Sequence, residues 1–170
     1  KEIKVWASLD HENVVPLLGY FTVGNNKLPR LVSSWMEDGT MTDYMRTFPR
    51  CSFLTQKMLI GIASGLAFLH EKGVVHADLK TPNILISKAK TPLLTDFGLS
   101  AVVGQSKSTA TRSSTNNLGG TVRWMAREFF VVSSHPDATH KHDKKTDVWA
   151  YGMVIYAREL TNCSEPFIDF

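Results

Sequence analysis

Between residues 74 and 97 the chain alternates very short apolar runs with polar residues, and that alternation limits its fold more than any other feature. Val74-Val75-His76, Ile84-Leu85-Ile86 and Leu93-Leu94-Thr95 each read as a short buried strand. Each adjoins polar residues that packing does not call for, Asp78, Lys80, Asn83 and Asp96 among them. Burying polar groups costs free energy unless they are used, so these residues form the candidate site.

The rest of the chain can supply a core around them. With 170 residues, 43% of them hydrophobic and 21% charged, the composition is that of one ordinary globular domain. Glu2 to Leu9 carries Ile3, Val5, Trp6 and Leu9 near helical spacing and reads as the end of a helix, closed by Asp10-His11-Glu12-Asn13. Val14 to Val23 and Leu31 to Trp35, separated by Gly24-Asn25-Asn26, predict an antiparallel pair. A short helix is expected from Thr42 to Phe48. A core helix is expected from Leu54 to His70, burying Met58, Ile62, Gly65, Leu66 and Leu69. Asp147 to Leu160 repeats the helical pattern, with Val148, Tyr151, Val154 and Ile155 available for burial. Gln105 to Asn117, dominated by Ser, Thr and Asn, predicts a mobile loop.

Several function classes are disfavoured. The two cysteines, Cys51 and Cys163, are too few for a disulfide framework or a four-ligand zinc site, which suggests a reducing, cytoplasmic setting. A net charge of +3 from 19 basic and 16 acidic residues points to neither nucleic acid nor a membrane surface. No apolar run is expected to approach the roughly 18 residues that cross a bilayer, and no signal-peptide core opens the chain. Lys1 begins directly in an amphipathic segment, so the sequence is expected to be part of a longer protein. His135, His140 and His142 lie among Lys141, Lys144 and Lys145 and read as a solvated loop more than as a metal site.

The motif His76-Ala77-Asp78-Leu79-Lys80-Thr81-Pro82-Asn83, followed by Asp96-Phe97-Gly98, resembles the catalytic and metal-binding loops of eukaryotic-type protein kinases. Asp78 or Asn83 alone would read as an ordinary turn residue; the ordered set carries the resemblance. Gly119-Gly120-Thr121-Val122-Arg123-Trp124-Met125-Ala126-Arg127-Glu128 resembles the end of an activation segment of the tyrosine-kinase-like branch, whose members here would be serine/threonine kinases. Asp147-Val148-Trp149-Ala150-Tyr151-Gly152 resembles the start of the central large-lobe helix.

The resemblance implies a two-lobed α+β fold, present in part, with residues 1–36 as a remnant of the small lobe and hinge and 37–170 in the mainly helical large lobe. It implies ATP and Mg²⁺ as cofactors and a protein as substrate. Asp78 would be the catalytic base, Lys80 would neutralise the γ-phosphate, and Asn83 with Asp96 would hold magnesium. Glu2 would be the helix glutamate that pairs with a phosphate-binding lysine lying before residue 1, which together with a glycine-rich loop would be needed for tight ATP binding. Ser33 would stand at the gatekeeper position, the backbone of Ser34, Trp35 and Met36 would face the adenine edge, and Leu85 would lie under the ring. Leu17, Trp6, Phe97 and His76 would stack as a spine anchored on Asp147, which leaves His76 no catalytic proton.

Two residues depart from the pattern. Ala77 replaces an arginine that in many relatives receives an activation-segment phosphate, and Arg127 replaces a proline. The expected activity is transfer of the γ-phosphoryl group of Mg-ATP to protein Ser or Thr hydroxyls. The alternative is an impaired pseudokinase or an interaction module.

Overall fold

The computed structural model describes residues 6–23, 28–46, 53–97, 122–130 and 142–160. Strand β1 (Leu17–Val23) pairs antiparallel with β2 (Leu28–Ser33), in register from Leu17 opposite Ser33 to Val23 opposite Leu28, with an irregularity between Leu17 and Gly19. The expected first strand began at Val14. It starts later because Pro16 has no amide hydrogen for a ladder. Val14 instead bridges Leu94 in parallel, and the Val15 amide donates to the Leu94 carbonyl at 2.9 Å. The second strand lies nearer the N-terminus than Leu31 to Trp35, because the ladder with β1 runs to its far end at Leu28.

Helix α1 (Met41–Met45) starts where Thr40 can cap it. The Thr40 hydroxyl accepts from the Asp43 amide at 3.3 Å while the Thr40 amide donates to Asp43 Oδ2 at 3.4 Å, a reciprocal box. The hydroxyl's own bond to that carboxylate holds the Asp43 pKa below its ordinary value. The expected extension to Phe48 lies outside the described residues.

Helix α2 (Phe53–Glu71) buries Met58, Ile62, Gly65, Leu66 and Leu69, as the spacing predicts. Its glycines make a notch: a Cβ on Gly65 would stand 2.7 Å from the Asn13 carbonyl, and one on Gly61 2.8 Å from the Asn13 amide nitrogen. Into that notch comes Asn13, whose side chain donates to the Pro92 carbonyl at 3.0 Å and whose carbonyl accepts from Leu94 at 2.9 Å. The 19 residues of α2 are, by length and composition alone, apolar enough to cross a membrane, which corrects the expectation that no run approached that length. Here its apolar stripe is occupied by the protein's own core.

Strands β3 (Ile84–Ile86) and β4 (Pro92–Leu94) form a short antiparallel hairpin with Ile84 opposite Leu94. Ile62, Leu69, Ile84, Ile86 and Leu94 are among the fully buried side chains around it. Val74 to His76, expected as a strand, belongs to no extended ladder among the described residues. Its hydrogen bonds go elsewhere: Val74 N–H donates to the Leu69 carbonyl at 2.8 Å, and His76 N–H to the Asp147 carboxylate at 2.8 Å.

Helix α3 (Lys144–Leu160) begins before Asp147, because Asp143 caps it by accepting from the Lys145 and Thr146 amides, both at 2.9 Å. Val154 is buried and the Tyr151 hydroxyl donates to the Leu59 carbonyl of α2 at 3.0 Å. Val148, expected to be available for burial, is exposed because it lies on the far side of the turn from Asp147 and Val154. The Gln105 to Asn117 segment lies outside the described residues.

Candidate active site

The site is assembled from the two ends of the chain's central segment. Asp147, 1% exposed, turns its carboxylate toward the residues before Asp78. Oδ2 accepts from the His76 amide and Oδ1 from the Ala77 amide, both at 2.8 Å. The bond to Ala77 pins a residue whose φ of +62° is unfavourable for a side chain with a Cβ. With that kink fixed, Asp78 follows in one orientation. Asp147 is therefore not the cap of its helix; its acceptors are spent across the fold.

Beyond Asp78 the chain runs extended through Lys80 into a single 3₁₀ turn, Thr81–Asn83. Pro82 suits the start of such a turn, and the Thr81 hydroxyl accepts from the Thr42 hydroxyl of α1 at 2.8 Å. That turn brings Asn83 back onto Asp78. The Asn83 amide nitrogen donates to the Asp78 carbonyl at 2.8 Å and to Asp78 Oδ2 at 2.9 Å. Lys80 Nζ lies 2.7 Å from the same oxygen, with side-chain exposures of 19% for Lys80 and 35% for Asp78.

Asp96 reaches the group through the hairpin. Ile84 faces Leu94, so the residues flanking those two, Asn83 and Thr95, also meet, and the Thr95 amide donates to the Asn83 carbonyl at 3.1 Å. Asp96 follows with φ +59°, turning the chain out of the strand beside Asn83. Asn83 and Asp96 thus flank one end of one hairpin, with Asp78 bound to Asn83 and Lys80 to Asp78.

Around this group stands an aromatic stack. Phe97 meets Trp6 edge-on at 5.2 Å and His76 at 6.1 Å, and Trp6 Nε1 donates to the Val15 carbonyl at 2.8 Å. Burial pushes the His76 imidazole below its ordinary pKa, opposed by the Asp147 charge, so it is neutral at pH 7. Leu17 packs on the edge of the same core.

Comparison with known proteins identifies the family. The family model described as "Protein kinase domain" matches residues 1–169. The chain belongs to the protein kinase domain family. It is 33% identical over 161 residues to a G-type lectin S-receptor-like serine/threonine-protein kinase of Arabidopsis thaliana, a match covering 91% of this chain and 18% of that protein. It is 30% identical to the Arabidopsis thaliana cysteine-rich receptor-like protein kinase 28, over 91% of this chain and 22% of the relative. Mitogen-activated protein kinase kinase kinase 13-B of Xenopus laevis is 30% identical, over 99% of this chain and 16% of its own length. The kinase-domain chain therefore spans about a fifth of the length of the relatives it matches.

The remaining site residues of this kinase domain divide by position. Ser33, Ser34 and Trp35 are exposed, Trp35 to 88%, and Met36 packs partly against the core. The chain continuing from them is bound to β3: the Ile86 amide donates to the Gly39 carbonyl at 3.0 Å and Thr40 bridges Leu85. Leu85 thus lies beside that connecting segment. Glu2 lies outside the described residues. Fit to the family's cofactors can be judged from the donor set. Among the described residues no cluster of three or more His, Cys, Asp or Glu could cage a metal. Mg²⁺ needs no such cage, since it usually takes one or two protein oxygens and completes its shell with phosphate and water. Asn83 spends its nitrogen on Asp78 and keeps its oxygen, and Asp96 would offer a second hard oxygen ligand. The residues fit.

Sequence reasoning passed over His70, whose Nε2 lies 2.8 Å from Asp147 Oδ2, and Asn13, the plug of the α2 notch. Neither carries a signal in its own neighbourhood, because each partner lies far along the chain. His142, read as a loop residue, stands with its ring 4.6 Å from Phe129.

Proposed function

We propose that the protein transfers the γ-phosphoryl group of Mg-ATP to Ser or Thr hydroxyls of protein substrates. The observation that supports this best is the Asp78 carboxylate with Lys80 at 2.7 Å and Asn83 at 2.9 Å, while Asn83 is itself held to the strand end that leads into Asp96. Phosphoryl transfer asks the protein mostly for position and charge. Asp78, partly exposed, accepts and orients the proton of the incoming hydroxyl. Lys80 supplies a cation where negative charge gathers on the transferred group. Asn83 and Asp96 hold Mg²⁺, which when bound spreads and neutralises phosphate charge. Buried and neutral, His76 takes no proton in this scheme.

The nucleotide would lie against the backbone of Ser34, Trp35 and Met36, past Ser33, with Leu85 beneath the base, and Glu2 would pair with the phosphate-binding lysine that the family resemblance implies. The same reading places the domain in the cytoplasm, acting on protein and not on nucleic acid. The Ser/Thr preference is supported by the printed names of the relatives and by Lys80 two places after Asp78.

The test uses the full-length protein. Asp96→Asn should abolish Mg-ATP-dependent phosphate transfer, since an amide is a poorer magnesium ligand. Asp78→Asn should lower turnover about a hundredfold or more while nucleotide affinity is kept. Unchanged turnover in both would refute the assignment, and nucleotide binding without any transfer in the unaltered protein would favour an interaction module.

A further inference from the structure

We propose that Thr42 of helix α1 is a positioning residue for Lys80 and Asn83, acting through the hydroxyl of Thr81. The 3₁₀ turn Thr81–Asn83 decides where both groups stand, because Lys80 directly precedes it and Asn83 ends it. Its far end is held three times: Asn83 donates to the Asp78 carbonyl at 2.8 Å and to Asp78 Oδ2 at 2.9 Å, and its own carbonyl accepts from the Thr95 amide at 3.1 Å. Its near end receives no side-chain cap from Lys80. A different tie is present there, the Thr42 hydroxyl donating to the Thr81 hydroxyl at 2.8 Å. Thr81 is 3% exposed, so water is a poor substitute for that partner.

Thr42 can serve as an anchor because α1 is itself fixed. The reciprocal box of Thr40 and Asp43 starts the helix, and Met41, Tyr44 and Met45 bury its inner face. The chain before it is tied to the β3–β4 hairpin at other points, through the Gly39 carbonyl on the Ile86 amide at 3.0 Å and through Lys90 Nζ on Asp38 at 2.8 Å. Those ties reach the hairpin, whereas the hydroxyl pair reaches the turn. Losing the Thr42 hydroxyl therefore leaves α1 docked and loosens the start of the turn. Lys80 carries its charge on a long flexible stem, so the place of its ammonium is no better defined than its backbone, and small misplacements of such a group are costly to a reaction that depends on position.

The inference rests on the phosphoryl-transfer reading only for its kinetic part. In the full-length protein, Thr42→Val keeps the shape of the side chain and removes the donor, whereas Thr42→Ser returns the hydroxyl. The Asn83 and Ile84 amides close the turn on the Lys80 and Thr81 carbonyls. Their hydrogen exchange should quicken about fivefold in Thr42→Val, and kcat for phosphate transfer should fall about tenfold with the KM for ATP within about twofold. Thr42→Ser should recover most of both. Lys90→Met removes the ion pair with Asp38, keeps the hydroxyl pair, and should leave kcat within about twofold. Unchanged exchange in Thr42→Val overturns the proposal, as does a loss of turnover in Thr42→Ser or in Lys90→Met equal to that in Thr42→Val. If the unaltered protein transfers no phosphate, the kinase reading fails, and the exchange comparison of the Val and Ser variants still upholds or overturns the tie by itself.

Discussion

The described residues contain two antiparallel hairpins that differ in the opposite sense from their lengths. β1 and β2 pair over most of seven and six residues, yet Leu18, Tyr20, Phe21 and Leu31 remain exposed, with Leu18 at 63%. β3 and β4 pair over three residues each, yet Ile84, Ile86 and Leu94 are fully buried. Backbone pairing alone is marginal in water, and what secures a hairpin is a covered face. The short hairpin is covered by α2 and stitched by Asn13 and Val15, and it carries the candidate site. Among the described residues the long one has its covered ground mainly at Leu17, next to that stitch.

If this contrast is right, the largest effect belongs to the buried cross-link beside the short hairpin. Asp147→Ala should destabilise the domain by roughly 3–5 kcal/mol, because two loop amides and His70 lose their acceptor in a buried place. Urea unfolding of the purified protein measures it. Tyr20→Ala in the long hairpin should cost under about 1 kcal/mol, since Tyr20 is 59% exposed. A cost for Tyr20→Ala equal to that for Asp147→Ala would break the comparison.

A pair of glycine substitutions sharpens it further. Gly65→Ala drives a methyl to 2.7 Å from the Asn13 backbone carbonyl, an overpacking that should cost about 1–3 kcal/mol and appear as a lowered melting temperature. Gly19→Ala in β1 meets nothing within 4 Å and should shift stability by no more than about 0.5 kcal/mol.

Acid should act on the short-hairpin region through His76. Burial lowers the pKa of its folded form, so near pH 6.5 the unfolded chain binds a proton that the native protein does not. Stability from this source therefore falls as pH drops below about 6.5, by at most about 1.4 kcal/mol per unit. Urea midpoints at pH 7.5 and 5.5 should differ less in His76→Phe than in the unaltered protein. An identical acid shift in both would assign the effect to other groups.

The smallest effect is expected at the start of α1. Thr40→Ala removes the cap and should cost about 1 kcal/mol, visible as a small fall in melting temperature.

Much of this organisation is written locally. The helical spacing of Met58, Ile62, Leu66 and Leu69 determines α2 and its buried stripe, because a face that repeats every 3.6 residues needs no distant information. The order of Asp78, Lys80, Asn83 and Asp96 also carries the resemblance to the family whose model matches residues 1–169. The boundary shifts had local causes as well, Pro16 at the start of β1 and Asp143 at the start of α3. Other features were decided only by the tertiary structure. Val74 to His76 has the composition of a strand, but its amides bind the end of α2 and a carboxylate 71 residues away in sequence. His70 and Asn13 look like ordinary surface residues until the helices that bury their partners are in place. A hydrogen bond depends on where two groups meet in space, and the sequence states only how far apart they lie along the chain.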